Sequence, residues 1–127
     1  MPHETRLVPI DVRTFKFALS LVRVYRAKPP RDDADRVMWR QLLKSGTSAG
    51  ANTAESGGSQ SKKDWIAKRF IALREMRETQ FWLRLMKETS AGRDDLEPLI
   101  DEAGQLVAIF TTSLKTARSA LRVSTSR

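Results

Sequence analysis

The stretch Lys44 to Ser56, KSGTSAGANTAES, constrains this fold more than any other. It has almost no side-chain bulk, yet helical segments flank it: DRVMWRQLLK before and KKDWIAKRFIALREMRETQFWLRLMK after. Gly46 and Gly50 each cost a helix about 1 kcal/mol relative to alanine. A chain that keeps them turns there, binds something there, or packs another helix unusually close. Spacing favours packing. Met38, Leu42, Ser45, Ala49, Asn52 and Ser56 follow a heptad seam, bulky at first and small from Ser45 onward. The pattern does not break at Gly46, so the helix is predicted to run from near Asp33 to about Glu55. Gly57, Gly58 and Ser59 stop it. Gly46 and Gly50 share a face and admit a neighbouring backbone.

Three more helices are predicted. The first spans about Asp11 to Ala27, with Val12, Phe15, Leu19, Val22 and Tyr25 or Arg26 at helical spacing. Pro29 and Pro30 end it, and Asp32 and Asp33 supply an acidic start for the next helix. The third begins after Ser61, an N-cap with Asp64 three residues on. Trp65, Ala72, Met76, Thr79, Leu83 and Met86 trace its seam; Ile66, Phe70 and Leu73 lie beside it. Ile71, Trp82 and Leu85 occupy another face together with Glu78. One bundle core needs one stripe, so a second buried surface is expected, and self-association is its simplest source. The fourth runs from about Asp94 or Asp95 to Leu121, with Leu96, Leu99, Ala103, Leu106, Phe110, Leu114, Ala117 and Leu121 as its stripe. Four long helices with short links predict an all-α, antiparallel up-down-up-down four-helix bundle over residues 11–121. Residues 1–10 are expected to be disordered and residues 122–127 frayed.

Chemistry is sparse. The chain has no cysteine and one histidine, His3, near the terminus. That rules out disulfide frameworks and any Ser-His or Cys-His arrangement built from ordered residues. Di-iron bundles use two Glu-x-x-His motifs, and none occurs here. Glu75 and Glu78 could hold a metal through oxygen alone, but at this spacing they more often pair with arginine or solvate a face. Lys44-Ser45-Gly46-Thr47 has the wrong order for a phosphate loop, and no strand precedes it. No catalytic residue, cofactor or metal is expected. Ser45 and Ser48 are read as packing residues. Asn52 either fixes register or oligomer state in the seam or faces a solvated gap. Trp39, Trp65, Phe81 and Trp82 could stack on bases, although aromatics at helical spacing more often fill cores or interfaces. Neither a leader peptide nor an apolar run long enough to span a membrane is visible.

The net charge is +8, and its placement is uneven. Residues 36–87 hold 11 Lys/Arg against 4 Asp/Glu, whereas residues 88–127 hold 5 against 6. A concentrated basic surface attracts phosphate backbones. Arg36, Arg40, Lys44, Lys62, Lys63, Lys68 and Arg69 are the expected phosphate contacts. The bland alternative is a solvated face.

Three stretches carry a family resemblance: Ser45-Gly-Thr-Ser48-Ala-Gly-Ala-Asn52-Thr-Ala-Glu55, then Ser61-Lys-Lys-Asp64-Trp-Ile, then Ile71-Ala-Leu-Arg-Glu75-Met-Arg-Glu78-Thr79-Gln-Phe-Trp82-Leu. The chain resembles the 23S rRNA intervening-sequence proteins over roughly residues 11–120. Ser45, Ser48, Asn52, Glu55, Asp64, Glu75 and Glu78 are the positions that map. The resemblance implies a small cytoplasmic bacterial protein, an antiparallel four-helix bundle whose relatives form ring-like homopentamers. A related branch, the accessory protein of diversity-generating retroelements, binds nucleic acid and a reverse transcriptase. No catalytic residue is established in the family. Thr53-Ala54 stands where members often carry an aromatic-basic pair, and Ser56 where they often have Ala or Gly. The resulting expectation is a non-enzymatic, homo-oligomeric nucleic-acid binder; the alternative is a scaffold contacting a partner protein such as a reverse transcriptase.

Overall fold

The computed structural model describes residues 8–90 and 93–125. It contains four α-helices: α1 (Ile10–Ala27), α2 (Asp33–Ser56), α3 (Lys62–Thr89) and α4 (Glu97–Thr125). A 3-10 turn, Asp94–Leu96, leads into α4. Residues 1–7, most of the segment expected to be disordered, lie outside the described residues. The helix expected to end at Leu121 continues to Thr125.

Local chemistry sets the boundaries. The Asp32 carboxylate accepts from the Asp35 N–H at 2.8 Å and opens α2. Ser61 Oγ accepts from the Asp64 N–H at 3.1 Å and opens α3. Helix α2 passes through Gly46 and Gly50 without interruption. It closes where the Gly57 and Gly58 N–H groups reach back to the Ala54 and Glu55 carbonyls.

Cross-helix contacts show that consecutive helices run antiparallel. Between α2 and α3, Asp35 meets Ser90, Ser45 meets Thr79, and Ser56 meets Arg69. One number rises as the other falls. The same holds for Thr14 against Gly50 and Leu21 against Gly46 between α1 and α2. It holds again for Lys87 against Glu97 and Phe70 against Arg118 between α3 and α4. The sequence therefore winds up-down-up-down, with α2 packing most extensively on α3 and α1 only lightly on α4.

The core combines Trp39 and Leu42 of α2, Met76, Leu83 and Met86 of α3, and Leu96, Leu106 and Phe110 of the α4 region. Its α2–α3 interface is partly polar. Ser45 Oγ and Thr79 Oγ1 share a buried hydrogen bond of 2.8 Å, and Thr79 also donates to the Glu75 carbonyl. Gly46 lets α1 come close, for a Cβ there would lie 2.2 Å from Leu21 Cδ1.

Two expected faces are displaced. In α1 the buried side is Arg13, Thr14, Phe17 and Leu21, while Val12 and Phe15 of the expected stripe face outward, Phe15 at 67% exposure. Both stripes have helical spacing; what selects between them is the close approach of Thr14 and Leu21 to the α2 glycines. In α2, Thr53 rather than Asn52 enters the core. The Asn52 amide donates to the Ser48 carbonyl at 2.9 Å and to Ser48 Oγ at 3.2 Å. Its amide nitrogen is satisfied within its own helix, and among the described residues of this chain it bonds to no other helix.

Where α1 and α4 face each other, an open cleft of about 600 Å³ remains, lined by Phe17, Val24, Pro98 and Leu99. Arg13 spans it. Its Nε donates to Glu102 Oε2 at 3.0 Å and its Nη2 to Glu102 Oε1 at 2.6 Å. A third bond, from Nη2 to Gln105 Oε1 at 2.9 Å, completes the bridge.

Candidate nucleic-acid interface

The seven cations expected to contact phosphate do not form one surface. Arg36, Arg40 and Lys44 lie on the exposed side of the first half of α2. Lys62, Lys63, Lys68 and Arg69 lie at the start of α3, which sits beside the end of α2. Twenty helical residues separate Arg36 from Ser56, about 30 Å at 1.5 Å per residue. Three of the seven are engaged within the bundle. Arg36 pairs with Asp33, and Lys68 pairs with Asp64 at 3.1 Å. Lys68 holds the Asp64 carboxyl below its ordinary pKa, mainly through that hydrogen bond. Arg69 Nε donates to Ser56 Oγ at 2.7 Å, and its guanidinium lies 4.6 Å from the Trp65 ring centre. Burial pushes the Arg69 pKa down. Arg40, Lys44, Lys62 and Lys63 remain exposed and dispersed.

A tighter cationic cluster lies elsewhere. The groove between α3 and α4 has a volume of about 340 Å³ and is lined by Arg77, Lys115, Arg118 and Arg122 around Phe70, Leu73 and Leu114. Among the described residues, no carboxylate side chain lines it. The Arg118 guanidinium stacks 4.9 Å from the Phe70 ring centre. Among the described residues, neither Arg77 nor Lys115 enters an ion pair. The helices make this cluster because Lys115, Arg118 and Arg122 recur at helical spacing on α4, and the antiparallel register sets that face beside Phe70 to Arg77.

Averaging charge over residues 88–127 hid this cluster. All six acids of that segment lie between Glu88 and Glu102, and four of its five cations lie from Lys115 onward. Splitting the fourth helix at its middle would have exposed the basic half.

The other singled-out residues are structural where their contacts are visible. Ser45, Gly46 and Ser56 are buried in helix packing, Gly50 lies against the Thr14 backbone, and Ser48 accepts from Asn52. Glu55 is exposed. The Glu75 carbonyl accepts from Thr79, and the Glu78 carboxylate accepts from Trp82 Nε1 at 3.2 Å. Among the described residues, no group of three or more His, Cys, Asp or Glu side chains is placed to hold a metal ion. No helix there is long and apolar enough to cross a membrane.

Fold and groove together define a class: a basic, antiparallel four-helix bundle with a cation-lined channel between adjacent helices. The chain belongs to the family described as 23S rRNA-intervening sequence protein, which it matches over residues 10–112. A solved structure with the same fold is a protein of unknown function of the S23 ribosomal protein family from Bacteroides thetaiotaomicron. It is 31% identical, at a TM-score of 0.74 over 84% of this chain and 99% of that one. A search of the curated proteins returns no match.

Proposed function

We propose that this protein is a non-enzymatic, homo-oligomeric bundle that binds RNA or DNA through phosphate contacts. The groove lined by Arg77, Lys115, Arg118 and Arg122 carries this reading. Four cations along one channel favour a polyanion over a small neutral ligand. The backbone charge of nucleic acid is that polyanion, and binding of this kind releases counterions. The test is a salt titration of binding to a mixed-sequence oligonucleotide. About four phosphate contacts give roughly a hundredfold loss of affinity between 50 and 200 mM salt. Lys115→Gln with Arg118→Gln lowers the salt slope by about 2, whereas Arg36→Gln with Arg40→Gln leaves it nearly unchanged. Absence of binding at low salt rejects the reading.

The homo-oligomeric part of this reading has its own observation. Phe15 and Phe81 are 67% and 56% exposed, and Val12 and Phe15 border an apolar groove with Ala51 and Ala54. Self-association would cover such surface, with a pentamer implied by the family. Light scattering should return a multiple of 14.4 kDa. Phe15→Glu should shift that mass toward the monomer. A wild-type monomer at micromolar concentration rejects self-association.

A further inference from the structure

The outward side of α3 alternates two residue types. Phe70, Arg77, Phe81 and Arg84 recur at intervals of seven, four and three residues, which puts them on one side of the helix. All four are exposed. They span fourteen residues, about 21 Å at 1.5 Å per residue. Arg77 belongs to two adjoining grooves. One is the α3–α4 groove with Lys115, Arg118 and Arg122. The other, of about 560 Å³, continues along α3 past Gln80, Phe81, Arg84 and Leu85 and includes one carboxylate, Glu88. Among the described residues Arg84, like Arg77, enters no ion pair.

Five cations thus run beside two exposed aromatic rings. Each ring is braced by a neighbour. Arg118 lies 4.9 Å from the Phe70 ring centre. Phe81 meets Trp82 edge to face, with 4.9 Å between ring centres, and Trp82 is itself tied to Glu78. Phe81 is nevertheless 56% exposed. A ring held in place yet open to solvent loses little freedom when a flat partner stacks on it. Phosphate alone has no use for such surface. Phe70, Leu73 and Leu114 in one groove, and Phe81 and Leu85 in the other, suit the face of a planar ring. In a duplex the bases show only their edges in the grooves. An unpaired strand offers base faces and phosphates together.

We propose that this α3–α4 surface takes single-stranded nucleic acid. Its phosphates lie along Arg77, Arg84, Lys115 and Arg122, and its bases stack on Phe81 and on the Phe70–Arg118 pair. The inference rests on the reading of the groove as a nucleic-acid interface and adds the form of nucleic acid it selects. Neither contact uses a 2′-hydroxyl, so a DNA strand serves as the probe.

Fluorescence anisotropy with the full chain tests this on three DNA probes of equal length at one salt concentration. They are a strand of thymidines, its duplex with the complementary strand, and an abasic strand. The thymidine strand should bind roughly tenfold or more tightly than either of the others. Phe81→Ala alters an exposed side chain. It should weaken binding of the thymidine strand by about fivefold or more, while the abasic strand and the salt slope stay unchanged. Phe81→Tyr keeps the ring and should retain wild-type affinity. Equal affinity for strand and duplex, or for the thymidine and abasic strands, overturns this proposal and leaves phosphate binding by the groove standing. Absence of binding to every probe overturns both. A second copy of this chain is the competing occupant of Phe81. In that case Phe81→Ala lowers the mass seen by light scattering and leaves strand affinity unaltered, which also overturns the proposal.

Discussion

Gly46 and Gly104 are both helix-interior glycines, and their surroundings give them opposite roles. A Cβ at Gly46 would strike the fully buried Leu21. Gly46→Ala is expected to gain about 1 kcal/mol of helix propensity and lose about 1–3 kcal/mol to overpacking, for a net loss. A Cβ at Gly104 would find its nearest neighbour, Gln80 Nε2, 3.9 Å away. Gly104→Ala should therefore stabilise by about 0.5–1 kcal/mol. Urea unfolding of the two variants checks both signs. The buried Ser45–Thr79 bond should appear in a double-mutant cycle, with Ser45→Ala and Thr79→Val, as a coupling of about 1 kcal/mol. Small residues were legible in the sequence because lack of bulk at regular spacing means close packing. The polar pairing was not. Asn52 and Thr53 are adjacent, and only the contact with α3 decides which one faces inward.

Helix ends and stripes were readable in proportion to the number of signals that agreed. At the start of α3 the capping serine and the main apolar seam agreed, and the α4 stripe is buried from Leu96 to Ala117, with Leu121 only partly covered. In α1 two apolar stripes competed, and nothing local separated Phe15 from Phe17. The choice is made by α2, far away in sequence. The same scale holds the contact between Lys87, near the end of α3, and Glu97, at the start of α4. Glu97 raises the Lys87 pKa, mainly through a hydrogen bond. The pair thus stabilises the fold fully below the ordinary lysine pKa, about 10.4, and this contribution disappears as pH rises through the higher folded value. Lys87→Met should be less stable than the wild type at pH 8, and the gap should narrow above about pH 10.4. Unfolding midpoints measured across that range test it.

For the whole molecule, the fold class was legible and the placement of charge was not. Four amphipathic stripes with short links leave few alternatives to a bundle. Charge totals along a chain, however, ignore which residues the antiparallel register brings together. That register scattered the seven expected cations toward opposite ends and gathered Arg77 with Lys115, Arg118 and Arg122. The α1–α4 seam has a dynamic consequence. Three sides of the bundle are held by continuous helix packing, whereas the fourth is spanned by the Arg13 bridge to Glu102 and Gln105 over an open cleft. Swinging α1 away would sacrifice the least contact on that side, so transient opening should begin there. In native-state hydrogen exchange, α1 amides should exchange through an opening that leaves α2 and α3 protected. Glu102→Gln should speed that exchange while barely changing the protection at the centre of α3.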